Sequence, residues 1–321
     1  MILTPKELND QKNEFTVIDI RPGEQRNEFP VDGLETVVVT EKDINTISGK
    51  KVLICQFGIV TERVILTNNL EDTYSLLGGV QAWMEFQSDQ SDLSRWSRQT
   101  VLPEIGIEGQ KKLMNATVAI VGMGGLGCPA AQSLMSAGVG KLKLIDGDIV
   151  ELSNLHRQPL YGVDDINRLK VEVAKDRLEQ LNKNAVIEST DEYFNKENGM
   201  NIIEGADVTI DATDNIQTRQ LIDRFSKEAN VPMVYGGLFR YEGQVAVLNV
   251  NGSPGYSDLF PDPPSSGETC EDAGVLGMLP GIIGNIQALE TVKLIIGIEP
   301  NLIGQLLIYN GMNHKSHTIQ L

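Results

Sequence analysis

The chain has 321 residues, 41% of them apolar, and a formal net charge of −17. That charge excludes nucleic acid and anionic membrane as partners, because phosphate-rich surfaces would repel it. The length suffices for two hydrophobic cores; no signal peptide or transmembrane-length apolar run stands out, and three widely spaced cysteines fit a reducing cytoplasm.

In chain order, residues 17–21, 51–55 and 73–77 read as strands, with helices over 62–69 and 80–86, so residues 1–87 predict a small α/β domain. Cys55 ends a strand and opens the loop Cys55-Gln56-Phe57-Gly58-Ile59-Val60-Thr61 ahead of a helix. Backbone amides curled in such a loop stabilise a thiolate or persulfide. Together with residues 17–21 and Leu77-Gly78-Gly79-Val80-Gln81-Ala82-Trp83, this loop resembles a rhodanese domain. The resemblance implies that Cys55 carries sulfane sulfur. Val60 replaces the arginine usual near the end of that loop, so a degenerate, docking-only domain is the competing reading. Residues 88–94 are polar and aperiodic and read as a linker to a second domain over 95–321.

The second domain opens on chemistry. The apolar run 117–121 reads as a buried parallel strand, followed by Gly122-Met123-Gly124-Gly125-Leu126-Gly127 and a helix beginning near Cys128 and Pro129. Gly122 permits the tight turn, Gly124 and Gly125 let amides approach a ligand, and the helix N-terminus supplies positive potential for phosphate. The next strand, 141–145, ends at Asp146, where a carboxylate meets ribose hydroxyls in this architecture. The glycine pattern alone suits a dehydrogenase equally well. Hydride transfer, however, has little use for Asp148, Ser153, Asn154, Arg157, Gln158 and Lys170 crowded behind it, a set suited to holding and polarising a triphosphate. The competing reading pairs Arg157 with Asp164 or Asp165 on a solvated surface and leaves Lys170 as decoration on a helix running to about Leu181. A further strand, 206–211, leads to Asp214, a candidate magnesium ligand or a turn residue, and Asn215, a nucleotide contact or the N-cap of the next helix.

Residues 95 to about 312 resemble the MoeB/ThiF/HesA branch of ATP-dependent activators of ubiquitin-like proteins, related to eukaryotic ubiquitin-activating enzymes. Carrying the resemblance are Arg95-Trp96-Ser97-Arg98-Gln99, residues 121–128 and 146–158, Lys170, Thr213-Asp214-Asn215, Arg240-Tyr241-Glu242-Gly243-Gln244 and Cys270-Glu271-Asp272-Ala273-Gly274-Val275. It implies a Rossmann-like α/β domain with a mainly parallel sheet. By the same resemblance Gly125 and Asp146 hold ATP, Asn154, Arg157 and Lys170 contact its phosphates, and Asp214 serves Mg2+ and catalysis. Arg98 would reach the ATP site of the other subunit of a homodimer. The implied reaction adenylates the C-terminal glycine of a small ubiquitin-like sulfur carrier ending in Gly-Gly, with a cysteine desulfurase or other donor supplying sulfur. An activator without sulfur transfer, a nucleotide-binding docking protein without turnover and, below both, a NAD-dependent oxidoreductase are the alternatives.

The departures are informative. Many relatives carry two Cys-x-x-Cys pairs that close a zinc site, but Gly255-Tyr256-Ser257-Asp258 occupies the first region and the second is absent, so no structural zinc is expected. Related fused proteins place the rhodanese unit after the activating domain; here it comes first. Cys270 follows the irregular Phe260-Pro261-Asp262-Pro263-Pro264-Ser265-Ser266-Gly267 and matches a cysteine that in some relatives bonds to the activated partner, with a small buried residue as the alternative. The Ile282, Ile286 and Leu289 face of a helix over 280–298 is expected to pack in the core.

Overall fold

Two hydrophobic patterns give two units, Met1–Arg95 and Trp96–Leu321. The computed structural model describes residues 1–261 and 274–321, and only the backbone of residues 88–92.

In the first unit, β1 (Ile2–Leu3), β2 (Thr16–Asp19), β3 (Thr36–Val37), β4 (Lys51–Ile54) and β5 (Thr73–Leu76) form a parallel sheet in the order β1-β5-β4-β2-β3. Side chains alternate between its faces. Val17, Val52 and Ile54 join Leu8, Val80 and Trp83 in one core, while Ile18 and Leu53 join Ile44, Val64 and Ile65 in the other. The helix Ile59–Thr67 starts at Gly58, whose φ of 80° suits glycine, and carries Thr61 back over Cys55. The segment 88–94, expected as a linker, continues the helix Gly79–Leu93 and then a short turn, Ser94–Trp96. Polarity alone does not break a helix, and residues 87–94 contain neither Gly nor Pro.

The second unit holds an eight-stranded sheet in the order β13-β12-β11-β10-β9-β6-β7-β8. Its parallel part comprises β6 (Thr117–Val121), β7 (Lys141–Ile145), β8 (Val186–Thr190), β9 (Val208–Asp211) and β10 (Met233–Phe239). Antiparallel β11 (Glu242–Leu248), β12 (Gln305–Asn310) and β13 (Lys315–Gln320) extend one edge. Val118, Ile120, Leu142 and Leu144 face one core, and Ala119, Val121 and Ile145 the other. The 19-residue helix Met278–Ile296 is long and apolar enough to span a membrane, contrary to expectation, but half of its most apolar window is buried within the fold. Its buried face is Leu279, Ile283, Gln287 and Ala288, whereas Ile282 and Leu289 are exposed. Of the expected stripe only Ile286 packs against the core, because a helix apolar on most sides carries no periodic signal to choose its inward face.

Where relatives carry the first cysteine pair, a carboxylate clip holds the chain. Buried Asp223 accepts hydrogen bonds from the amides of Tyr256 (2.8 Å) and Ser257 (3.1 Å), and Asp258 accepts from the Gly255 amide (2.8 Å) and Lys227 (2.9 Å).

Candidate active site

The chain lays down β6, β7 and β8 in one direction and then returns to place β9 on the other side of β6. At that reversal the carboxyl ends of β6 and β9 diverge and open a crevice. It is a cavity of about 910 Å³, lined by Gly122, Gly124 and Gly125 after β6, Asp146 and Asp148 after β7, and Thr213, Asp214 and Asn215 after β9. Ser153, Asn154, Arg157, Gln158 and Lys170 also line it, so most of the residues singled out in the sequence converge.

Gly122 has φ of +95°, and a Cβ there would lie 2.7 Å from the Ala212 carbonyl oxygen, so the turn needs glycine on both counts. A Cβ at Gly127 would strike the Gly122 carbonyl, and Gly127 packs behind the wall, at the start of the helix Gly127–Ala137, without lining the cavity. Cys128 beside it donates to the Met123 carbonyl at 3.3 Å, and burial pushes its thiol up to about 12, leaving it no nucleophilic role at neutral pH.

Asp146 pins both loops: Oδ2 accepts the Met123 amide at 2.7 Å and Oδ1 the Asp148 amide at 2.8 Å. Its burial raises its pKa. Asp148 Oδ2 receives the buried Lys170 Nζ at 2.8 Å, and Oδ1 the Tyr193 hydroxyl at 2.7 Å. Burial pushes the Asp148 carboxyl upward, but those two donors outweigh it and its pKa falls. Lys170 is thus a cavity cation, held and oriented by Asp148.

Buried Asn154 accepts the Glu151 amide at 3.1 Å and closes the turn Leu152–Asn154. Arg157 Nη1 donates to the Ser153 carbonyl at 2.9 Å beside His156 Nε2. The competing surface pairing with Asp165 is not formed: Arg168 and Arg177 occupy that carboxylate at 3.2 and 3.3 Å. Gln158 Oε1 is buried without a hydrogen-bond partner. Asn215 accepts the Thr218 amide at 2.8 Å and caps the helix Ile216–Ala229 while also lining the cavity; Asp214, next to it, is exposed.

Besides Gly127, Arg98 is absent from the cavity lining and lies exposed on the short helix Ser97–Thr100; Cys270 lies outside the described residues. Cys55 belongs to the first unit, buried, with Sγ 3.8 Å from Thr61 Oγ1. Conversely, Tyr193, His156, Arg219 and Arg240 line the cavity without having been singled out for it. An aromatic just past β8, at the same sheet edge as Asp146, was the available signal for Tyr193.

The donor set fits a magnesium nucleotide. Ile145, Ile149, Tyr193 and Phe194 offer an apolar wall for a base, and Arg157, Lys170 and a helix N-terminus offer positive potential for phosphates. Among the described residues no three His, Cys, Asp or Glu side chains gather into a metal cage. A cation that keeps most of its waters and takes one or two carboxylates, as magnesium does, needs no such cage.

Residues 96–321 match the ThiF family. The chain belongs to the ThiF family. It is 42% identical over 267 residues to "Adenylyltransferase and sulfurtransferase MOCS3" of Drosophila sechellia, an alignment covering 83% of this chain and 57% of that relative. The chain therefore spans little more than half the length of that relative. To "Sulfur carrier protein adenylyltransferase" of Thermus thermophilus it is 40% identical over 230 residues, 70% of this chain and 85% of that one. Among solved structures, PaaA superposes with a TM-score of 0.62 at 26% identity, covering 72% of this chain and 83% of that protein. The mainly parallel, Rossmann-like α/β fold expected for a ThiF member is the fold observed.

Proposed function

We propose that this ThiF-family chain is an ATP-dependent adenylyltransferase that activates the C-terminal glycine of a small ubiquitin-like sulfur carrier ending in Gly-Gly. The activated carrier would go on to thiocarboxylate formation in molybdopterin, thiamine or related sulfur-transfer biosynthesis. The supporting observation is one crevice that gathers the Gly122 turn, the Asp148-held Lys170, Arg157 and Asp214. The names of the two relatives, an adenylyltransferase and sulfurtransferase and a sulfur carrier protein adenylyltransferase, support the same reading.

In this reaction a carboxylate oxygen of the carrier forms a bond to the α-phosphorus of ATP, the bond from that phosphorus to the bridging oxygen breaks, and pyrophosphate leaves with the electron pair. No protein base is required, because the nucleophile is already ionised. What remains is orientation and charge neutralisation. Lys170 and Arg157 neutralise phosphate charge, the turn after β6 positions it, and Asp146 retains oxygen lone pairs for ribose hydroxyls. Asp214 would hold Mg2+, which when bound would neutralise charge on the phosphate oxygens.

The proposal extends to a homodimer in which Arg98 completes the partner's site, supported by the exposed position of Arg98 and the exposed apolar Met278, Ile282 and Leu289. It extends also to sulfur delivery through Cys55 from a cysteine desulfurase or other donor, in a reducing cytoplasm. Mass spectrometry of a Gly-Gly-ending carrier incubated with enzyme, ATP and Mg2+ tests the central step. An adenylate on the terminal glycine is expected; a carrier left unmodified would refute it. Undiminished thiocarboxylate formation by Cys55→Ser protein would remove the sulfur role alone.

A further inference from the structure

Four residues connect the end of β9 to the helix Ile216–Ala229: Ala212, Thr213, Asp214 and Asn215. Ala212 continues the sheet through its amide to the Val121 carbonyl at 2.9 Å, and Asn215 is fixed as the N-cap. Between them the backbone is clamped at Thr213. Asp211 Oδ1 accepts both the Thr213 amide (3.0 Å) and the Thr213 hydroxyl (2.7 Å), and Arg219 Nη2 donates to the Thr213 carbonyl at 2.7 Å. With amide and carbonyl both held, the peptide plane leading into Asp214 has one orientation.

The clamp is built from groups that are costly to bury. Asp211 is fully buried and Arg219 nearly so, with Nε 3.5 Å from Oδ2, yet neither of those two atoms has a hydrogen-bond partner. A buried pair this imperfect is weak support for stability, since desolvation of both charges offsets their attraction. Its geometric effect is specific. Gln287, reaching from the helix Met278–Ile296, fixes the Asp211 carbonyl at 2.7 Å, and Arg219 lies 5.3 Å from the Tyr235 ring centroid. The backbone of Asp211 and the guanidinium of Arg219 are thus themselves held from two further elements.

We propose that Asp211 and Arg219 are positioning residues which, through Thr213, set the carboxylate of Asp214 for the magnesium that accompanies ATP. The proposal rests on the reading of Asp214 as the metal-binding acid. Magnesium demands near-ideal octahedral geometry, so a carboxylate that swings freely binds it poorly. Groups that orient a ligating carboxylate typically contribute about 10–100-fold in metal affinity.

The test measures ATP binding by calorimetry on the whole chain, with and without Mg2+, for the parent, Asp211→Asn, Arg219→Lys, Thr213→Ala and Thr213→Ser. Each variant is compared with its own metal-free ATP affinity: the factor by which Mg2+ tightens binding is expected to fall about tenfold or more in the first three and to be restored in Thr213→Ser, which keeps the hydroxyl. Should Asp211→Asn or Arg219→Lys not fold, Thr213→Ala against Thr213→Ser decides. A folded variant of Asp211 or Arg219, or Thr213→Ala, with an unreduced Mg2+ increment overturns the positioning role, provided Asp214→Ala abolishes that increment. An increment that survives Asp214→Ala overturns the metal assignment itself.

Discussion

Replacing Gly122 by Ala perturbs the turn at its tightest point. The position has φ of +95°, and an added Cβ would lie 2.7 Å from the Ala212 carbonyl oxygen, where ordinary contact begins near 3.4 Å, so something must give by about 0.7 Å. The left-handed backbone costs about 1–2 kcal/mol for a residue with a Cβ, and crowding adds about 1–3 kcal/mol. A net loss of about 3 kcal/mol lowers the melting temperature of a domain this size by roughly 6–12 °C. The damage to chemistry should be larger than the damage to stability, because the oxygen that must retreat precedes Thr213 and Asp214. A displacement of that order at a reacting centre reduces turnover about 100-fold. Scanning calorimetry and ATP–pyrophosphate exchange measure the two effects. Gly281→Ala is the control: its Cβ meets open space in the helix Met278–Ile296, so a gain of up to about 1 kcal/mol and unchanged exchange are expected. A Gly122→Ala protein with parental melting temperature and exchange rate would refute the reasoning.

Tyr193→Phe removes one donor from Asp148 while Lys170 remains, so ATP binding should weaken about fivefold, the value of one hydrogen bond, with little change in folding; unchanged affinity in calorimetry would separate Tyr193 from the site. Asp223→Ala strands the Tyr256 and Ser257 amides and should cost about 3 kcal/mol in urea unfolding, against a negligible change if the clip contributes nothing. Asp165 is buried, which raises its pKa, but the Gly162 amide and then Arg177 and Arg168 outweigh that, and the net shift is downward. A carboxyl lowered in the folded state stabilises above its unfolded pKa, about 3.9, and that contribution disappears as pH falls through the folded value. Urea midpoints of Asp165→Asn should therefore be lower than the parent's at pH 7 and converge toward them in acid; a constant gap across pH would contradict the ion-pair account.

Local sequence carried much of this architecture, for identifiable reasons. β6 and β7 have the expected bounds because short apolar runs end at a glycine and an aspartate. β13 is exposed along its length and presents no alternation to read, and β1 has two residues. The Gly122 turn, Asp146, Asp148 and Lys170 were legible because their spacing is local. Tyr193 was not, because it reaches Asp148 across 45 residues from beyond β8, and Arg219 was not, because an arginine in the second turn of a helix reads as a solvated surface residue although it holds the Thr213 carbonyl six residues back. Asn215 is the N-cap that one reading expected, and at this strand–helix junction it also lines the crevice.

The most direct measurement is ATP–pyrophosphate exchange with a purified carrier ending in Gly-Gly. Exchange that requires the carrier and Mg2+, disappears when the two glycines are removed, and falls by orders of magnitude in Asp214→Ala is the predicted result. Exchange that persists undiminished in Asp214→Ala, or none at all with any such carrier, would contradict the account.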